Sequence, residues 1–459
     1  MKSQYSYYVE PFELKDRPRR FLDAFAAIIK YSNYGPVLDA YSRLTAKCSR
    51  CSAACPIYLT TNNIKDVPCW RSELVLRVYR RYFTISGMIR TRLWNGFTLT
   101  DDYIDQLAEE LYHCTACRRC KFFCPMGIDH GMITHIGRWA LAEIGIVPKA
   151  LVVATREQLE GRTHNTSAIP LPALQDTCEF LEGEIMEKYG QPVKFPIDNA
   201  GAEMVFFPAV SDYLLEPDTL MGNAAVMHAT GGSWTIGSKY YDGINYGLFY
   251  SDRMMDRIVR MEVAEVTRLK SKIVLIGECG HASRSAKVGI PNFFGHDAPP
   301  VINIMEYTLK MLEKGKLNLR ANTIKDRVTY HDPCNIARSG WIVNQPREIL
   351  RAICSDFVDM TPNGPLNYCC GGGSGTVSID EIRKWRTGPA GKVKARQIKE
   401  TGARYVVAPC ANCKKQLREV LEDNGLEDVE VVGLHDLVIK AIDFGTQPKD
   451  ESRSAKEKL

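Results

Sequence analysis

The residues in this chain best suited to chemistry are thiols. In the stretch Asn367-Tyr368-Cys369-Cys370-Gly371-Gly372-Gly373-Ser374-Gly375, two adjacent cysteines precede three glycines. Such a stretch makes poor core. Adjacent strand side chains point to opposite faces, and glycines cost backbone entropy. Upstream lies His331-Asp332-Pro333-Cys334 and downstream Pro409-Cys410-Ala411-Asn412-Cys413, giving the pattern C-x34-CCG-x38-C-x2-C. Five thiols thus come from three Gly- or Pro-flanked turns, the layout of a metal cluster. Five thiolates exceed the four of a cubane, so a different cluster geometry is expected. Gly371, Gly372 and Gly373 let the backbone come close and offer N–H groups to cluster sulfurs. The competing reading, a phosphate loop, lacks G-x-x-x-x-G-K-S/T.

A second group of thiols lies earlier. Cys114-x2-Cys117-x2-Cys120-x3-Cys124-Pro125 is a complete bacterial ferredoxin run. Three close thiolates wrap one cubane, and the fourth, on its prolyl turn, reaches the other. The run Thr45-x2-Cys48-x2-Cys51-x3-Cys55-Pro56 has threonine at its first ligand position, and Cys69 is the spare thiol nearby. The expected ligands are Cys48, Cys51, Cys69 and Cys124 for one cluster. For the other they are Cys114, Cys117, Cys120 and Cys55. A zinc site is the competing reading of the second run, and a bystander thiol that of Cys69.

Helices must position these turns. Between the runs, Ser72 to Tyr82 and Asp101 to Tyr112 read as helices, with Asp101 or Asp102 as a cap. Before them an extended lead is followed by an apolar stripe, Phe21, Phe25, Ile28 and Ile29. The insert between the runs is basic, with Arg71, Arg77, Arg80, Arg81, Arg90 and Arg92 among Tyr79, Tyr82, Phe83, Ile85 and Leu93. It reads as a solvated, carboxylate-paired face or a docking face for a partner subunit. A nucleic-acid patch or an anionic membrane surface are further readings. Over residues 40–145 the chain resembles the α-helical ferredoxin module.

Residues 151–202 read as a connector, with Cys178 structural. Strands then alternate with helices, as in parallel sheets. Glu203–Pro208 parallels Arg327–Cys334, and Lys272–Cys279 parallels Arg404–Cys410, so residues 203–326 and 327–445 look like two copies of one α/β unit. The first copy is degenerate. Ala209 stands for Cys334, its Gly-rich turn Gly231-Gly232-Ser233-Trp234 has no cysteine, and only Cys279 remains. Glu278, Cys279 and His281 are expected to face the cluster from this half, with His281 as proton donor near neutral pH. A satisfied loop histidine and a plain buried thiol are the alternatives. Cys354 reads as core.

Composition fits this picture. The 459 residues allow two or three domains. The net charge of +5 is too small to argue for nucleic acid. Sixteen cysteines grouped largely as C-x-x-C read as a reduced, metal-loaded set of the cytosol, not a disulfide scaffold. Arg19-Arg20-Phe21-Leu22 resembles a twin-arginine start, but Asp23 interrupts it. No apolar run is long enough to span a membrane, and Pro448 to Leu459 reads as a solvated tail.

Together, Cys334, Cys369-Cys370-Gly371 and Cys410-x2-Cys413 resemble the CCG domain of the heterodisulfide reductase catalytic subunit and its relatives. The full arrangement is similar to the DsrK-like subunits of sulfate-reducer membrane redox complexes, including the high-molecular-weight and tetrahaem cytochrome complexes. The resemblance implies two [4Fe-4S] cubanes and a noncubane [4Fe-4S] cluster on Cys334, Cys369, Cys370, Cys410 and Cys413. It implies an oxidoreductase that reduces or forms a disulfide- or trisulfide-type bond. The chain would lie on the inner face of the cell membrane, held by an integral-membrane quinone- or haem-containing subunit. A small thiol-bearing carrier protein is a further expected partner, and nucleic acid is not. Two alternatives stay open: a pure electron relay, and the iron–sulfur subunit of a soluble 2-hydroxy-acid or glycerol-phosphate oxidase. The expected fold is α+β and multidomain. An α-helical ferredoxin domain (1–150) and a linker (151–202) precede a degenerate half (203–326), an intact half (327–445) and a tail (446–459).

Overall fold

The structure is a computed structural model that describes residues 15–93 and 96–445, with the side chains of residues 91 and 92 excepted. The N-terminal extended lead up to residue 14, the side chain of Arg92 and the tail from Pro448 therefore lie outside the described residues.

The N-terminal body is helical. Helix α1 (Arg17–Lys30) buries Phe21, Phe25 and Ile28 along one stripe, with the two phenylalanine rings stacked at 6.0 Å. Helix α2 (Pro68–Phe83) starts four residues before the expected Ser72. Pro68 occupies the first turn, where a missing N–H costs nothing. Cys69 is thereby carried in that turn. Ser72 caps nothing; its buried hydroxyl bonds His130 Nδ1 at 2.8 Å. Helix α3 (Asp101–Tyr112) is capped by Thr100, whose Oγ1 accepts the Tyr103 N–H. Asp101 and Asp102 instead follow in the first turn, where carboxylates favour the helix dipole. Helix α4 (His130–Glu143) is capped by Asp129. Gly137 of α4 fits so closely that a Cβ there would fall 2.5 Å from Leu111 and 2.9 Å from Val75. Arg71 is not part of the basic surface. It is buried against Asp66 at 2.6 Å.

The rest is two parallel four-stranded sheets of identical order. Strands β1 (Met204–Phe207), β2 (Trp234–Thr235), β3 (Ile273–Ile276) and β4 (Val301–Asn303) form the first, in the order β2-β1-β3-β4. Strands β5 (Val328–Tyr330), β6 (Phe357–Asp359), β7 (Tyr405–Val407) and β8 (Glu430–Val432) form the second, in the order β6-β5-β7-β8. The central strands are almost wholly apolar and mostly buried, with Thr329 the polar exception, as parallel sheets covered on both faces require. Helices α5 (Pro217–Ala229) and α8 (Leu434–Ala441) pack together and join the halves in one core with the connector helix Leu171–Tyr189. Cys178 and Cys354 both belong to that core. Burial pushes each thiol up to about 12, so both stay protonated and inert.

The shared order corrects one correspondence. Gly231-Gly232 precedes β2, whereas Cys369-Cys370-Gly371 follows β6. The counterpart of the paired cysteines is therefore the stretch after β2, where Tyr240-Tyr241-Asp242-Gly243 stands for Tyr368-Cys369-Cys370-Gly371. Asp242 is fully buried and works as a hub. Its Oδ1 accepts the N–H groups of Val210 and Ile244, and its Oδ2 accepts the N–H and hydroxyl of Thr166.

Candidate metal centre

Three turns at the ends of β5, β6 and β7 bring the thiols of the intact half together. Cys369, Cys370, Cys410 and Cys413 are buried in one apolar cluster, and Cys334 is half-buried. The Sγ atoms of Cys370 and Cys413 lie 3.5 Å apart. Cys413 also touches Cys410, and Cys369 touches both Cys370 and Cys334. Gly371 has φ +101°, which a side chain resists, and its N–H donates to Cys369 Sγ at 3.4 Å. Gly372 lies against Gln416. Gly373 meets the other module: a Cβ there would fall 2.4 Å from the Thr115 carbonyl oxygen. The three glycines thus serve close approach to protein atoms on three sides.

The turns are fixed by buried charge. Asp332 receives both terminal nitrogens of Arg347 at 2.8 Å and the Gly364 N–H at 2.8 Å. Asn367 donates to the Asp332 carbonyl and accepts from Lys394 at 2.6 Å. Lys394 is fully buried, and burial pulls it down to about 7. His331 is buried beside Cys370 with Nε2 unpartnered.

The degenerate half reaches the same centre through one turn. Cys279 Sγ, a His281 ring nitrogen and Cys410 Sγ lie within 4.8 Å of one another. Asn412 donates its amide N–H to His281 Nδ1 at 2.9 Å, which leaves the buried, unpartnered Nε2 to carry the proton. Glu278 does not join them. It accepts the N–H groups of Leu434 and His435 and pairs with His435 Nδ1 at 2.5 Å, so it caps helix α8 instead.

In the helical body, Cys55, Cys114, Cys117 and Cys120 line one pocket of about 420 Å3. Cys69 touches Cys51, with Ser49 Oγ 3.7 Å from its sulfur. Cys48 is exposed and Cys124 half-buried, and neither is drawn into that pair.

The two thiol groups meet. Cys117 packs against the cluster of the intact half and touches Cys369. Arginines close the seam. Arg338 donates to the Cys117 carbonyl at 2.9 Å and to those of Pro365 and Asn367. Arg119 donates to the carbonyls of Leu366 at 2.7 Å and Ala54 at 2.8 Å, with its guanidinium over the Tyr368 ring. Arg138 spans Cys114 and Ser374. The degenerate half is tied to the helical body by Asp252, which bonds Tyr34 at 2.6 Å and His135 at 2.7 Å. Where the three bodies meet, a narrow crevice of about 10 Å3 is lined by Thr115, His135, Phe249, His281, Arg284, Asn335 and Ser374, among others. Burial holds Arg284 down to about 9, so it remains cationic at neutral pH.

This donor set fits inorganic iron and sulfide. It consists of soft sulfur ligands, buried and clustered, with glycine backbone beside them. Sequence reasoning missed Asn412, Arg284, Lys394 and the seam arginines. Only Asn412, inside the Cys410-x2-Cys413 turn, carried a local signal.

Comparison with known proteins agrees. Residues 46–128 match the 4Fe-4S dicluster domain and residues 328–418 the CCG cysteine-rich domain. The chain is 26% identical to the Hdr-like menaquinol oxidoreductase iron-sulfur subunit 2 of Archaeoglobus fulgidus, over 89% of this chain and 81% of that protein. It is 24% identical to one of the subunits of the dihydromethanophenazine:CoB–CoM heterodisulfide reductase of Methanosarcina barkeri, over 87% and 94%. To one of the subunits of the fumarate reductase (CoM/CoB) of Methanothermobacter marburgensis it is 25% identical, over 72% and 61%. Two sheets of one topology lie behind a helical body that matches a 4Fe-4S dicluster domain, the second sheet carries the cysteine-rich CCG domain, and over most of its length the chain is similar to Hdr-like and heterodisulfide reductase iron–sulfur subunits.

Proposed function

We propose that the chain is the iron–sulfur subunit of a membrane-associated redox complex and that it reduces, or in reverse forms, a disulfide- or trisulfide-type bond. The observation that carries this reading is the unbroken run of thiols. It leads from Cys117 in the helical body through Cys369, Cys370 and Cys413 to Cys410, where His281 waits.

Two cubane clusters would be held by Cys48, Cys51, Cys69 and Cys124 and by Cys55, Cys114, Cys117 and Cys120. A noncubane cluster would be held by Cys334, Cys369, Cys370, Cys410 and Cys413. Iron–sulfur clusters supply one-electron storage and transfer when bound. The electrons would be exchanged with a quinone- or haem-bearing membrane subunit, a reading supported by the likeness to a menaquinol oxidoreductase subunit and to a dihydromethanophenazine-linked reductase subunit.

The protein's own residues would do the rest. Cleaving R–S–S–R′ consumes two electrons and two protons and yields two thiols. A substrate sulfur would approach beside Asn335, next to Cys334, and the narrow crevice would have to open to receive it. Arg284 meets an anionic group of the substrate. His281, oriented by Asn412, would donate a hydrogen bond from its Nε2–H to the leaving thiolate, and the two protons would come from solvent. Cys279, one contact from Cys410, keeps that position free of water.

The purified complex, assayed for disulfide reduction, tests this. The His281→Gln variant is expected to lose about a hundredfold in turnover, with iron content and paramagnetic resonance spectrum unchanged. Unchanged turnover would reduce His281 to packing. A third paramagnetic signal that ignored added thiol substrate would leave the chain a relay.

A further inference from the structure

Helix α2 is followed, after Thr84 alone, by a short helix, Ile85–Leu93. The two are jammed together. A Cβ on Gly87 would fall 1.8 Å from the Arg80 carbonyl oxygen, and Thr84 Oγ1 accepts the Gly87 N–H at 3.1 Å. On the short helix Ile85, Met88, Ile89 and Leu93 recur at i, i+3, i+4 and i+8, so they share a face. That face is bare: the four side chains are 75%, 50%, 53% and 65% exposed. A contiguous row of large apolar side chains is an interaction surface, unlike a single exposed leucine.

Beside it opens a cleft of about 550 Å3 lined by Arg43, Arg77, Arg80, Arg81 and Arg90, with Asp39 as its one carboxylate among the described residues. Asp39 is paired with Arg43, and Glu73 with Arg80. Among the described residues Arg77, Arg81 and Arg90 have no carboxylate partner. Arg77 lies over the Phe97 ring and Arg81 over Tyr82. Planar guanidinium groups match phosphate oxygens two at a time. An apolar face flanked by cations is the pattern of a helix lying in a membrane surface. Nucleic acid would use the arginines and leave the apolar row in water.

We propose that the Ile85–Leu93 helix lies in the surface of an anionic lipid bilayer. Its apolar face enters the boundary between headgroups and acyl chains, and Arg77, Arg81 and Arg90 bind lipid phosphates. This goes beyond attachment through a membrane subunit and does not depend on the cluster chemistry. Helix α2 sets the geometry, since Cys69 in its first turn and Arg81 near its last are separated by about 18 Å along the axis.

Sedimentation of the purified full-length chain with vesicles tests the proposal. One set contains phosphatidylcholine alone and the other phosphatidylcholine with phosphatidylglycerol. Binding is expected to the second set, weakening as salt is raised. Ile89→Asp with Leu93→Asp, and separately Arg81→Gln with Arg90→Gln, should each lower it about tenfold. Ile89, Leu93 and Arg90 are exposed, Arg81 is half-buried with its Nε on the Phe97 carbonyl, and unchanged circular dichroism shows that the variants fold. Equal binding to both vesicle sets, or no loss in either variant, overturns the proposal. So does a chain that ignores all vesicles yet is held by a purified membrane subunit in detergent through these same residues.

Discussion

The two halves of the α/β body share strand order and register but hold their turns by different means. In the half built on β5 to β8 the turns end in thiols, and Cys369 and Cys370 draw them together. In the half built on β1 to β4, Asp242 occupies the corresponding position and gathers the same kind of turn with five hydrogen bonds from protein donors. A carboxylate can satisfy several N–H groups outright. A ring of thiols satisfies little by itself. One half is therefore complete as polypeptide, and the other calls for an external group at its centre. The difference separates support from chemistry: in the function proposed above the degenerate half lends Cys279, His281 and Arg284 and otherwise serves as scaffold.

Replacing Cys370 by Ala should break the comparison most severely. The intact half would lose its site, with a fall of about four irons per chain and no sulfur-bond activity, measured by iron analysis and turnover. Next comes Arg347→Ala. It strands the Asp332 carboxylate in the interior, and removing one partner of a buried pair costs about 3–5 kcal/mol, read from denaturant unfolding. Among the described residues the degenerate half has no such ion pair at the equivalent Pro208-Ala209 turn, so the loss should be greatest within residues 328–441 in hydrogen exchange. The smallest effect is expected from Asp242→Asn. Burial pushes this carboxyl up from 3.8 to about 6, and four of those donors oppose that rise. The folded state therefore holds a proton that the unfolded chain has released between those values, so wild-type stability falls as pH rises from about 4 to 6. The variant lacks that fall and should gain on the wild type across this window. Thermal unfolding against pH checks it, and parallel curves would contradict the assignment.

Much of the site was legible in the sequence because cysteine spacing is a local signal. The same holds for the paired α/β units, whose strand-then-turn pattern repeats. Other features were hidden. The Gly-rich turn at Gly231 resembled the turn at Gly371 in composition, yet it lies on the other side of its strand; the Tyr-x-x-Gly pattern at Tyr240 was the better guide. Glu278 sits beside Cys279 in sequence, but its carboxylate turns to helix α8, a partner more than 150 positions away. Arg119, Arg138 and Arg338 bond main-chain carbonyls of distant segments. A carbonyl acceptor leaves no mark on residue type, so nothing in the sequence announces those contacts.

The contact between Gly373 and the Thr115 carbonyl has a further meaning. It works as a shim of zero thickness: at that point the two bodies are separated by hydrogen atoms alone. Electron tunnelling weakens steeply with every added ångström. If electrons cross this seam as proposed, a single methyl group at position 373 would wedge the bodies apart and throttle that current, while each body stayed folded.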